Sequence, residues 1–208
     1  MRFKMLPAPP ADLDRVSEAQ RAVPLVPGDE QDCCARLQRR LGFPSRDVSR
    51  TWLTFLRALE LARETDAGFS RTDRDPTVEH LRRSFLDRVL LAPGTLAAVA
   101  AVTTGEEDAD AERAAGNDDP TAERGASVDA VFDRIRDAVP TYEHHKNPDT
   151  WESIWRDQTA DLLGWLALLG FLESVNADAG DAADADDAAD ADRYVLTDRG
   201  REALDGGD

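Results

Sequence analysis

Lysine is almost missing from this chain: Lys4 and Lys146 are the only two, against 23 arginines. Cysteine is equally scarce, confined to Cys33 and Cys34. Neighbouring Cα atoms lie about 3.8 Å apart, below the usual disulfide range, so these read as reduced thiols on a helix. A disulfide scaffold and a Cys-x-x-Cys device are excluded. No apolar run approaches the roughly 18–20 residues of a membrane span. The most apolar stretch, Leu162 to Leu172, is too short, so no membrane partner is expected. "MRFKMLPAPPADLDR" has bases but no apolar core of a secretion signal, which predicts a cytoplasmic protein. Also lacking are a Walker-type Gly-Lys loop, Gly-x-Gly-x-x-Gly and Gly-x-Ser-x-Gly. No enzyme, cofactor or metal is expected. "YEHHKN", 142–147, reads as a polar loop, and a nuclease or metal-dependent enzyme built on His80, His144 and acidic residues is the weakest reading.

What is present is acid, mostly aspartate: 29 Asp and 13 Glu give a formal charge of −17 over 208 residues. Asp over Glu and Arg over Lys resemble the protein style of salt-accumulating halophilic archaea. Acidity does not exclude nucleic acid in that setting, because at molar salt the Debye length is only about 3 Å. The charge is also uneven. Residues 1–100 hold 16 bases and 14 acids, whereas residues 101–208 hold 9 bases and 28 acids.

Two segments offer little to bury. "GEEDADAERAAGNDDPTAERG", 105–125, reads as an acidic disordered linker, and "NADAGDAADADDAADAD", 176–192, as an acidic insertion. They leave structured parts at 10–75 and 126–205, with connecting helices in 76–104.

The basic island "RRLGFPSRDVSR", 39–50, stands out against this background. Before it, Cys33 or Cys34, Leu37 and Leu41 share a helical face that Gly42 can close. After it, Ser45 can cap a second helix burying Val48, Trp52, Phe55 or Leu56, and Leu59. Helix, short Gly-containing turn and helix make a helix-turn-helix. "LARETDAGFSRT" then reads as a hairpin around Asp66-Ala67-Gly68.

The whole stretch "LGFPSRDVSRTWLTFLRALELARETDAGFSRT" resembles the winged helix-turn-helix superfamily, with "ADLDRVSEAQRAV" as first helix. The C-terminal part repeats the order. "LRALELARET", 56–65, aligns with "LALLGFLESV", 166–175, and "GFSRTDR", 68–74, with "RYVLTDR", 193–199. The expected fold is mostly α with small β-hairpin wings (α+β): a tandem winged helix-turn-helix.

The resemblance implies double-stranded DNA as partner, with the second helix of the turn in the major groove. Its exposed stripe is expected at Arg46, Ser49, Arg50, Leu53 or Thr54, and Arg57. Arg39 and Arg40 would reach the flanking backbone, and Arg71 and Arg74 a phosphate beside the wing. A transcriptional regulator follows as the expectation. The matching helix of the second copy offers Glu152, Arg156, Asp157 and Asp161. It suits a protein partner or homodimer better than phosphate, so a non-enzymatic adaptor is the alternative.

Overall fold

The computed structural model describes residues 3–105, 125–146, 148–176 and 192–206. The chain divides into two compact units, Met1–Leu90 and Leu91–Asp208. The division falls inside the segment read as connecting helices. The acidic stretches 105–125 and 176–192 lie almost wholly outside the described residues.

The first unit is built from α1 (Asp14–Ala22), α2 (Glu30–Leu41), α3 (Arg46–Ala58), β1 (Ala62–Thr65), β2 (Gly68–Arg71) and α4 (Val78–Arg88). Local chemistry sets the bounds. The Asp29 side chain accepts from the Asp32 N–H at 2.7 Å and starts α2, and Ser45 accepts from the Val48 N–H at 3.2 Å and starts α3. Gly42, at φ +68°, closes α2. Phe43 in the turn stacks on Trp52 with ring centroids 5.5 Å apart. Below that stack Leu37, Phe55, Leu56, Leu59, Leu81 and Phe85 form the core.

Both thiols are buried against it. Burial, then the neighbouring Cys34, pushes the Cys33 thiol up to about 11. Burial and Glu30 raise Cys34 too. Thiols held protonated are poor nucleophiles.

The wing is a two-residue hairpin pairing Ala62 with Arg71 and Thr65 with Gly68. The segment 24–28 lies along its other edge, held by a single bridge. Gly28 and Phe69 exchange N–H···O bonds of 2.9 and 2.7 Å, and the Arg71 N–H donates to the Pro24 carbonyl at 2.8 Å.

The second unit comprises α5 (Ala92–Thr104), α6 (Val128–Ile135), a 3-10 turn (Arg136–Ala138), α7 (Thr141–Lys146), α8 (Trp151–Leu168), β3 (Leu172–Asn176), β4 (Asp192–Leu196) and α9 (Asp198–Asp205). Its core is Val131, Phe132, Trp155, Leu162, Leu163, Trp165 and Leu166. α5 packs on α6, α8 and β4, so it takes the place in this unit that α1 has in the first. The expected polar loop at 142–147 is instead α7 through Lys146, where the His144 ring stacks on Trp151 at 3.8 Å. No side-chain cap bond forms from Thr150 at the start of α8.

The two units share a set of bonds around the wing. Ala126 and Tyr194 exchange the pair of hydrogen bonds that Gly28 and Phe69 exchange. The Leu61 N–H reaches back to the Leu56 carbonyl, and the Phe171 N–H to that of Leu166. Between them Glu60 (φ +60°) and Gly170 (φ +77°) turn the chain left-handed out of the helix. The Thr72 hydroxyl then donates to the Glu60 carbonyl at 2.8 Å, and that of Thr197 to the Gly170 carbonyl at 2.8 Å. The sequence alignment of the two copies is thus a structural one. Two small antiparallel hairpins on helical units make the α+β winged-helix class.

Candidate nucleic-acid interface

The exposed side of α3 is set by the side it buries. Ser49, Trp52, Leu53 and Leu56 recur at three- and four-residue steps and all face the core. Ser49 is therefore not on the outer stripe, which corrects the expectation. Its hydroxyl is satisfied inside, donating to the Ser45 carbonyl at 3.1 Å. Leu53 is buried as well, and the half-exposed Thr54 takes the outer position.

Arg46 and Arg50 lie outward, with side chains 57% and 64% exposed. Neither is alone. Glu30, in the first turn of α2, stands 3.6 Å from Arg46 and 3.5 Å from Arg50. One carboxylate between two guanidiniums leaves the cluster a positive charge. Arg57 turns away from this stripe. It pairs with Glu64 at 2.8 Å and lies over the rings of Phe3 and Phe69, 5.7 and 5.6 Å from their centroids.

Arg57 lines a cleft of about 700 Å³ together with Glu60, Arg74 and Arg88. Glu60 holds Arg88 at 2.8 Å and Arg74 at 3.6 Å. Four arginines and three acids line the cleft, and Arg57 and Arg74 are each paired with a glutamate in it. Arg39 is exposed at the end of α2. Arg40 and Arg71 meet elsewhere, in a groove with Arg21 and Arg36, two residues that the sequence reading did not single out.

The second unit provides an internal control. In the register that matches Leu56 with Leu166, Ser49 corresponds to Thr159, which is also buried and also donates to the carbonyl four residues back, at 2.8 Å. Arg46 corresponds to Arg156, which bonds Asp129 in the first turn of α6 much as Arg46 pairs with Glu30. That pairing belongs to the shared fold. Arg50 and Thr54, by contrast, correspond to Ala160 and Gly164. Nearby, burial and then Asp157 push the Asp161 carboxyl up to about 6, while a hydrogen bond from Gln158 works the other way. The polar stripe over Arg50 and Thr54 is what the first unit adds.

Neither histidine named above is placed as an obvious ligand. His80 is buried with Nε2 2.7 Å from the Leu59 carbonyl, and Nε2 of His144 is buried without a hydrogen-bond partner.

A family model described as the halobacterial double winged helix domain matches residues 1–186. The chain belongs to that family. The match ends before the second unit does, leaving β4 and α9 of this double winged helix protein beyond it. No curated protein and no solved structure matches the chain. Among the described residues no helix is long and apolar enough to cross a membrane.

Proposed function

We propose that this double winged helix protein is a non-enzymatic transcriptional regulator of the cytoplasm whose first unit reads duplex DNA through α3. The observation that carries the reading is the outward row Arg46, Arg50 and Thr54 on the second helix of a helix-turn-helix. Arg can bond a guanine edge with two parallel donors, and Thr can donate to a base or phosphate. Arg39, one turn before the motif's turn, is suited to a flanking phosphate. At high salt, counterion release contributes little, so affinity depends on base contacts more than on phosphate attraction.

The second unit supports a different role. The outward side of α8 carries Glu152, Arg156 and Asp157; Arg156 is tied to Asp129, and Glu152 to Arg136 of the 3-10 turn. A face whose bases are already matched suits a protein partner, so the adaptor reading applies to this unit.

The test is fluorescence anisotropy of the full chain on pooled duplex fragments at about 2 M KCl, where exposed charge pairs are screened. Wild type is compared with Arg46→Ala/Arg50→Ala and with Arg50→Ala alone. The expected result is saturable wild-type binding that both variants lose. A folded wild type that binds none of the fragments rejects the DNA reading.

A further inference from the structure

Many arginines of this protein are matched by a carboxylate. Arg15 pairs with Glu18, Arg46 and Arg50 with Glu30, Arg57 with Glu64, Arg74 and Arg88 with Glu60, and Arg201 with Asp198. Arg21, Arg36, Arg40 and Arg71 are not, and they lie together. They line one groove of about 540 Å³ in the first unit, and none has an ion-pair partner among the described residues. Arg36 adds an unsatisfied donor, since its Nε is shut from solvent with no acceptor.

Four like charges drawn into one groove repel one another unless an anion completes the set. In a chain with 42 acids, a groove lined by four arginines and no carboxylate concentrates positive charge. The fold does not require it. When the helix starts at Asp29 and Ser127 are matched, Arg36 keeps an arginine, Arg134, but Arg40 corresponds to Ala138, and matching Thr72 with Thr197 puts Leu196 in the place of Arg71.

The groove is also apolar. Leu25 and Val26 border it, 60% and 76% exposed, the two most exposed large hydrophobic residues among those described. Its position separates it from the α3 stripe. Arg36 and Arg40 lie roughly two and three turns along α2 from Glu30. Arg71 sits at the base of the hairpin, opposite Ala62, away from the Asp66-Ala67 tip.

We infer that this groove binds a protein segment that is acidic and carries aliphatic side chains. Guanidiniums take carboxylates through paired, charge-assisted hydrogen bonds. Leu25 and Val26 supply the apolar contact that a segment of peptide can use and a phosphate backbone cannot. The site is independent of the DNA reading and uses a different surface of the same unit.

The test is anisotropy of a labelled peptide alternating Asp and Glu with Leu, titrated with the full chain at about 1 M KCl, where the Debye length is about 3 Å. A control peptide replaces each Leu by Ser. Wild type is expected to bind the first peptide saturably and the control several-fold more weakly. Arg36→Ala/Arg71→Ala and Arg21→Ala/Arg40→Ala, each checked for folding by circular dichroism, are expected to lose at least about tenfold in affinity. Leu25→Ser/Val26→Ser is expected to abolish the preference for Leu over Ser. Arg46→Ala/Arg50→Ala is expected to bind the peptide as wild type does, so a failed DNA reading leaves this result standing. The inference is overturned if folded wild type binds neither peptide, or if both peptides bind equally. It is also overturned if the groove variants keep peptide affinity, or if duplex DNA displaces the peptide from wild type and from Arg46→Ala/Arg50→Ala alike. That last outcome assigns the groove to nucleic acid.

Discussion

The carboxylate of Glu30 stands 3.5 Å from the guanidinium of Arg50 across the helix-turn-helix, and it holds Arg46 at nearly the same distance. An incoming phosphate or base edge must compete with it. Exposed pairs of this kind contribute about 0.2–1 kcal/mol each. Glu30→Gln is therefore expected to tighten duplex binding by the first unit about two- to fivefold while leaving thermal stability nearly unchanged. Anisotropy and a melting curve on the same preparation check both halves.

Thr72 and Thr197 close the same turn in the two units, but they do unequal work. Each donates its hydroxyl to the carbonyl of the left-handed residue before the wing. Thr197 alone also caps a helix, accepting from the Gly200 N–H at 3.1 Å. Thr72→Val is expected to cost about 1 kcal/mol in the first unit, and Thr197→Val about 2 kcal/mol in the second. Denaturant unfolding followed by tryptophan fluorescence separates them, because Trp52 reports the first unit and Trp151, Trp155 and Trp165 the second. Equal losses would contradict the cap assignment.

Asp161 makes the second unit sensitive to pH. Its carboxyl is raised from 3.8 to about 6, by burial and then by Asp157. Between those values the folded state binds more protons than the unfolded one, so stability falls as pH rises from about 4 to 6 and is level above. Asp161→Asn keeps an acceptor for Gln158 and removes the charge. It is expected to stabilise the second unit by about 1 kcal/mol at pH 7, allowing for partial exposure, and to change nothing below pH 4. Unfolding midpoints at the two pH values check the sign.

The helix-turn-helix was legible in the sequence because its signals are local. Asp29, Gly42 and Ser45 each act within four residues of themselves. The wing and the repeat were legible from Thr-Asp-Arg and the leucines before it. What was missed depends on contacts distant in sequence. Glu30 gives no sign of facing Arg46 and Arg50, and Arg21, Arg36, Arg40 and Arg71 meet only when α1, α2 and β2 pack. Ser49 was misplaced because a serine looks polar whether or not a carbonyl waits four residues back. The Ala-rich α5 shows no one-sided pattern, so its membership of the second unit could not be read from periodicity. The bridge at Gly28 is a single residue pair, in which alternation cannot show.

The bridged segment has a bearing on how the protein survives at high concentration. It lies along the edge of β2, where unpaired backbone groups would ordinarily offer a template to a neighbouring chain. Pro24 and Pro27 bracket its two exposed aliphatics and carry no N–H to offer. Sheet growth from molecule to molecule is blocked at the place where the surface is stickiest. Leu25 and Val26 can stay exposed there without making the edge a seed for aggregation.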